Sequence, residues 1–209
     1  MKLGHIRVYL SFFLSLTGPL LFSQESYSIK VHFIYGSKPK KEFRATEGKW
    51  FGGIWGGHVG IETDSNQILN FGPQGKFHWF SKSANRHSHF VIHTRENFWS
   101  IFKRTEGPVK RLSIEIPITK EQKHRLDSIR SAYLANTPYD YAFVGMRCAA
   151  SAYDVLGLIH IMKPYSHART YLKIRYPAKL RKRLLKKAKK NNWIIIREVG
   201  TKKRKWERG

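Results

Sequence analysis

The stretch GGHVGIETDSNQILNFG, residues 56–72, contains two short alternations of apolar and polar residues on either side of DSN (64–66). Alternation with a period of two residues is typical of β-strands that bury one face, and Asp, Ser and Asn favour turns. The stretch therefore predicts an antiparallel hairpin. It begins directly after FGGIWGG (51–57), whose glycines allow another element to approach His58 closely.

The flanking sequence predicts further strands and then helices. Alternating, β-branched segments predict three more strands, at SIKVHFIY (28–35), HFVIHT (89–94) and KRLSIEIPI (110–118). After the last of them, Thr119 is a predicted helix N-cap, with Gln122 at the capping-box position and apolar residues following at helical spacing. A second helix is predicted to begin near Met146. This order predicts an α+β fold, and no internal repeat is visible.

The first residues have the pattern of a secretory signal peptide. A short basic start precedes the apolar run VYLSFFLSLTGPLLF (8–22), and Ser23 supplies the small residue of a cleavage site. The run is shorter than the roughly 20 apolar residues that cross a bilayer, which makes a retained membrane anchor the alternative. We expect residues 1–23 to be removed and the protein to be exported, to the periplasm or outside the cell.

Cys148 is the single cysteine of the chain. Residues 24–162 are long enough to form one domain with a core that needs no disulfide, so the thiol is an intermolecular bridge, a buried inert group or a reactive group. Cys148 falls in the first turn of a predicted helix, where free amide N–H groups and the helix dipole favour the thiolate. The same amides could hold the oxyanion that forms when a thiolate attacks a carbonyl.

The C-terminal residues 163–209 are strongly basic. The whole chain has 39 Lys and Arg residues against 14 Asp and Glu, and the excess is concentrated here. For an exported protein, the polyanions within reach are lipid headgroups, lipopolysaccharide and wall polymers, so we expect an anionic envelope surface as partner and no nucleic acid. A solvated extension without a ligand is the alternative. We expect helix around AKLRKRLLKKAKK (178–190), and NNWIIIREV (191–199) could instead be a strand of the sheet.

Among the histidines, His87, His89 and His93 are spaced closely enough to raise a metal site. No carboxylate stands beside them and Cys148 is far away in the sequence, so we expect neither a metal nor a cofactor. His58 is a different case. It is the first residue of a predicted strand and follows glycines that allow another element to come close.

Three segments, GGHVGIETDSNQILNFG, IEIPITKEQ and PYDYAFVGMRCAASAYDVL, carry a resemblance in this order. They resemble the circularly permuted papain-like thiol hydrolases, which include NlpC-like cell-wall peptidases and the lecithin:retinol acyltransferase group. The resemblance covers roughly residues 28–160 and implies a small antiparallel sheet packed against helices. It also implies that Cys148, at a helix N-terminus, is the nucleophile and that His58, on an earlier strand, is its base. Asn70, on the returning strand, is then expected to orient His58. Glu62 is the alternative, roughly 13 Å along the strand.

The resemblance further implies a substrate class. Wall peptidases of this type commonly carry Asp or Asn before the cysteine, whereas this chain has Arg147, which favours the thiolate and could select an anionic substrate. We expect Arg147, Tyr141 and Trp55 to contact the substrate. The expected function is an exported cysteine hydrolase that cleaves an amide bond in peptidoglycan peptides. The alternatives are an acyl hydrolase or transferase acting on lipids or lipoproteins, and a non-catalytic envelope-binding protein of the same fold.

Overall fold

The computed structural model describes residues 26–48, 56–76, 78–82, 87–101, 107–166, 170 and 173–208. The predicted signal peptide and Trp55 lie outside these residues. The strands are β1 (Tyr27–Tyr35), β2 (Ser37–Pro39), β3 (Gly57–Asp64), β4 (Gln67–Pro73), β5 (His78–Phe80), β6 (Ser88–His93), β7 (Arg111–Ile118), β8 (Ala142–Val144), β9 (Ile194–Glu198) and β10 (Arg204–Trp206). The helices are α1 (Arg95–Trp99), α2 (Lys120–Ala135), α3 (Cys148–Leu158) and α4 (Pro177–Lys190), with a 3₁₀ turn at Lys41–Phe43.

Six strands form one antiparallel sheet in the order β6-β4-β3-β1-β7-β9. The predicted hairpin is β3 and β4, joined by a tight turn in which Asn66 has a φ of 61°. The predicted α+β class is confirmed, since helices pack on this sheet. Two short pairings, β10 with β2 and β5 with β8, lie outside the main sheet.

The predicted helix signals are present at the expected residues. The Thr119 side chain accepts from the Gln122 amide at 3.2 Å, and the Gln122 side chain accepts from the Thr119 amide at 3.0 Å, which is the complete capping box. The next helix, α3, begins at Cys148 itself. Helix α2 therefore starts where its capping pattern predicts, and α3 starts two residues after the expected Met146, with Cys148 in its first turn.

The main core lies between one face of the sheet and helices α2, α3 and α4. Its members alternate along β1 and β7, where Val31, Phe33, Ile114 and Ile116 are fully buried. The other face of the sheet is covered by α1 near β1 and β4, because Phe98 of α1 packs on Ile34 and Ile68. No helix among the described residues is long and apolar enough to cross a membrane.

The basic C-terminal residues are part of this core and do not stand apart as an extension. In α4, one apolar stripe faces inward and includes Leu180, Leu184 and Ala188, all fully buried, while most of its lysines point to solvent. Strand β9 then pairs antiparallel with β7. The alternative that NNWIIIREV is a strand of the sheet is therefore the one observed, and residues 173–208 share the core of the preceding domain.

Of two buried ion pairs in the C-terminal residues, one joins them to the rest of the domain and the other lies within them. Arg204 in β10 bonds Glu47 at 2.8 Å, and Arg181 in α4 bonds Glu207 at 2.9 Å. The Arg181 guanidinium also stacks on the Tyr35 ring at 3.8 Å. Charged groups are buried only when paired, so part of the basic composition of this region is structural.

Candidate active site

The start of β3 is fixed by a glycine that no other residue could replace without strain. Gly57 has a φ of +85°, and a Cβ atom there would lie 2.0 Å from the carbonyl oxygen of Ile34. The close approach of β3 to β1 continues in register, with His58 opposite Ile34. The glycine thus allows the sheet to begin one residue before His58 and holds that histidine at the end of a buried strand.

Strands β3 and β4 are paired only beyond His58. Their pairing runs from Gly60 opposite Asn70 to Asp64 opposite Gln67, with a bulge near the turn. His58 and Val59 precede this paired part, so the edge of β3 that faces β4 is open at these two residues. Asn70 lies diagonally across from His58 on the same face of the hairpin.

The N-terminus of α3 occupies this open end of β3. The Cys148 thiol is hydrogen-bonded to the His58 ring and also accepts from the Val59 backbone N–H. Both side chains are buried, with 4% of Cys148 and 8% of His58 exposed. Because Cys148 is the first residue of the helix, its own N–H has no intrahelical acceptor.

The electrostatics of the pair favour a thiolate and an imidazolium. Burial disfavours the Cys148 thiolate. The charge and hydrogen bond of His58 outweigh this effect, with help from Arg147 and the Val59 amide, so the pKa of Cys148 is lowered. Burial likewise opposes a charged His58, but the sulfur and Asn70 stabilise the protonated ring and raise the pKa of His58. The two groups are poised to exchange a proton.

Asn70 holds the far side of the His58 ring. Its Oδ1 accepts from His58 Nε2, which leaves Nδ1 for the sulfur. The Asn70 amide nitrogen in turn donates to Nδ1 of His93 at 2.9 Å. Burial, and then the nearby charge of His58, lower the pKa of His93, so its ring stays neutral and can accept. His93 therefore fixes which end of the Asn70 amide faces His58.

Glu62, the alternative orienter, belongs to a different network. Its carboxylate lies 2.6 Å from Nε2 of His32 and 2.9 Å from Nε of Arg95. Burial opposes its charge, yet the hydrogen bonds from these two residues lower its pKa to about 2. His32 also lies 2.7 Å from the hydroxyl of Ser113 on β7, the third strand from β4 in the sheet. Of the two candidates, it is Asn70 that contacts His58.

Two of the three residues expected to contact a substrate lie beside the sulfur. The Tyr141 hydroxyl is hydrogen-bonded to both Cys148 and Arg147, and burial followed by the adjacent sulfur raises the Tyr141 pKa, so the phenol stays protonated. Arg147 is the N-cap residue of α3 and places its guanidinium over the Phe143 and Tyr176 rings. The third residue, Trp55, lies outside the described residues.

Two of the three clustered histidines, His87 and His93, make separate contacts, and Nδ1 of the third, His89, is buried without a hydrogen-bond partner. His87 Nδ1 lies 2.9 Å from Nε2 of His78, whose other nitrogen bonds Asp140, whereas His93 serves Asn70. Across the part of the chain that the structure describes, no group of three His, Cys, Asp or Glu side chains could hold a metal ion. The Asp140 carboxylate also accepts from the Lys82 and His87 amides, which ties the β5–β6 connection to the segment before β8.

Sequence reasoning missed the contact of His93 with Asn70 and the place of Arg175 beside Arg147. His93 could have been found from strand register: Val91 is opposite Asn70, so His93 lies two residues along on the same face. Arg175, which stacks on the same two rings as Arg147, carried no signal, because it is one of many cations in a basic run and reaches α3 only through tertiary packing.

Comparison with known proteins adds no assignment. No family model matches the chain, and no curated protein or solved structure matches it.

Proposed function

We propose that this protein is an exported cysteine hydrolase that cleaves an amide bond, with peptidoglycan peptides as its substrate class. The observation that carries the proposal is the contact between the sole cysteine, at the first position of a helix, and a histidine whose other nitrogen is held by Asn70. A nucleophile, a base and an orienting acceptor in this order form the working unit of thiol hydrolases. The histidine strand before the cysteine helix also supports the permuted papain-like resemblance.

The proposed reaction has two steps. In the first, the Cys148 thiolate attacks the amide carbonyl carbon, and protonated His58 gives its proton to the nitrogen as the C–N bond breaks. The products are a free amine and a thioester on Cys148. In the second step, neutral His58 takes a proton from water, the resulting hydroxide attacks the thioester, and the acid leaves as the thiol is restored.

Two donors near the sulfur suit the oxyanion of each step. The Cys148 backbone N–H is free of the helical ladder, and the Tyr141 hydroxyl stays protonated beside the sulfur. Removing one oxyanion donor in other enzymes lowers kcat by about 10²–10³. We assign Tyr141 this role because its raised pKa keeps it a donor at neutral pH.

The second candidate function is acyl hydrolysis or transfer on anionic lipids or lipoproteins. It is favoured by a cleft of about 450 Å³ on the outer face of α4 and the turn before it, lined by Lys173, Lys179, Lys182, Arg183 and Lys186. Each basic residue near an anionic membrane contributes roughly 1 kcal/mol to binding. The same thioester chemistry would serve an ester or an amide.

Incubation of the mature protein with muropeptides and, separately, with phospholipid vesicles tests the proposal. We expect new products by mass spectrometry from muropeptides with wild type and none with Cys148→Ala. Products from phospholipids alone would select the second candidate. Products that persist in Cys148→Ala would overturn the assignment of the nucleophile. A protein that leaves both substrates intact would favour the non-catalytic envelope-binding role.

A further inference from the structure

Two arginines share one pair of aromatic rings next to the proposed nucleophile. The Arg147 guanidinium carbon lies 5.5 Å from the Phe143 ring centre and 5.4 Å from that of Tyr176. The Arg175 guanidinium carbon lies 4.1 Å and 5.7 Å from the same two centres. Two positive charges are thereby held side by side, and stacking on ring faces fixes their positions.

No carboxylate in the described part of the chain forms an ion pair with either arginine. The buried arginines Arg181 and Arg204, in contrast, are each paired with a glutamate. Moreover, Arg147 Nη1 and Arg175 Nε are buried without a hydrogen-bond acceptor. A buried donor left unsatisfied costs about 1–3 kcal/mol, and more when it is charged, so an acceptor from outside the chain would relieve both groups.

The pair is connected to the sulfur through one side chain. Arg147 is hydrogen-bonded to Tyr141, and Tyr141 is hydrogen-bonded to Cys148. Both arginines are only partly buried, so solvent and dissolved anions have access to them. Guanidinium groups bind carboxylates and phosphates through parallel N–H donors, which is the geometry that two adjacent arginines offer.

We propose that Arg147 and Arg175 together bind an anionic oxygen group of the substrate, a carboxylate or a phosphate, next to the bond that Cys148 attacks. This inference rests on the proposed function, because it concerns the substrate of the same site. The cationic cleft of α4 begins at Lys173, two residues before Arg175. It extends the positive field outward and would draw anionic substrates toward the pair.

Two alkylating reagents of nearly equal size test the inference without knowledge of the natural substrate. Iodoacetate carries a carboxylate and iodoacetamide is neutral, and both react with the thiolate. The ratio of their rates with Cys148 therefore cancels any change in the thiol pKa and reports attraction for the anion. The rates are measured by intact-protein mass at pH 6 and fixed ionic strength.

We expect the iodoacetate-to-iodoacetamide ratio to fall about fivefold or more in Arg175→Gln and in Arg147→Gln, since each loses a nearby positive charge in a partly desolvated site. Arg175→Lys keeps the charge and should retain most of the ratio. The matched control is Arg125→Gln, which removes one charge beside His160, beyond the opposite end of α3. Its ratio should equal that of wild type.

The outcomes separate the two claims. A ratio that is unchanged in both glutamine variants, or that falls as much in Arg125→Gln, overturns the anion site and leaves the nucleophile standing. A Cys148 that reacts with neither reagent overturns the proposed function and this inference with it. Where the ratio falls as expected, protection of Cys148 by inorganic phosphate or by acetate at equal ionic strength identifies which anion the pair prefers.

Discussion

Replacing Asn70 by alanine should make the Cys148 thiolate harder to form. The substitution removes the acceptor of the His58 Nε2 proton and leaves that donor buried. Hydrogen bonds to charged groups contribute about 1.5–3 kcal/mol, and one pKa unit corresponds to 1.36 kcal/mol. Because Asn70 raises the pKa of His58, its loss destabilises the imidazolium and, with it, the thiolate partner.

The expected result is an upward shift of about 1–2 pH units in the midpoint at which Cys148 becomes reactive. Iodoacetamide modification is followed from pH 4 to pH 10 by intact-protein mass. Asn97→Ala, at an exposed position of α1, is the matched control and should leave the midpoint unchanged. Asn70→Asp keeps an acceptor and adds a negative charge, so its midpoint should not rise. A folded Asn70→Ala with the wild-type midpoint would refute the orienting role.

Three further changes test the surroundings of the site. His93→Phe removes the acceptor of the Asn70 amide and should slow Cys148 alkylation at pH 6 by roughly two- to tenfold, because the lost hydrogen bond contributes about 0.5–1.5 kcal/mol. His93→Gln keeps an acceptor and should slow alkylation less, and equal rates in wild type and both variants would show that His93 does not position Asn70. Gly57→Ala places a Cβ against the Ile34 carbonyl and should lower both the melting temperature and the alkylation rate, and wild-type values for both would show that β3 can shift without consequence. Truncation after Met162 removes Leu180, Leu184 and strand β9, so the protein should lose its cooperative thermal unfolding transition, measured by circular dichroism. A truncated protein with a sharp transition would show that these residues are not needed for folding.

Much of the fold could be predicted because its signals are local. Each of these signals depends on residues that are close together in the sequence. They are the hairpin at DSN, the alternation of SIKVHFIY and KRLSIEIPI, and the Thr119 capping box. The start of α3 was predicted near Met146, and the helix begins two residues later, at Cys148. Such signals place elements along the chain but do not place them against each other.

The C-terminal residues show where local reasoning fails. The run KIRYPAKLRKRLLKKAKK is dominated by charge, and its charge suggested a basic extension that binds anionic surfaces. Its few apolar residues nevertheless recur on one face, and Leu180 and Leu184 are enough to dock α4 on the core. Buried partners for Arg181 and Arg204, at Glu207 and Glu47, come from distant parts of the chain and leave no local pattern.

The candidate site also contains residues that local patterns could predict and residues that only the folded structure reveals. Cys148 and His58 were singled out from a helix start and a glycine-led strand, and the family resemblance then assigned their roles and pointed to Asn70 on the returning strand of the hairpin. The contacts of Arg175 with Phe143 depend on how α4 packs beside α3, which no periodicity encodes. His93 lies between these cases, since only the register of β6 against β4 brings it to Asn70.

The central claim is that His58 activates Cys148 to attack a carbonyl carbon. Intact-protein mass after brief exposure to p-nitrophenyl acetate tests it most directly, because the reagent supplies an activated acyl group to any competent thiolate. We predict that wild type gains one acetyl group on Cys148 at pH 6, that His58→Ala gains it at least tenfold more slowly, as expected when a general base is lost, and that Cys148→Ala does not gain it. Equal acetylation of wild type and a folded His58→Ala, or a Cys148 that remains unmodified, would contradict the account.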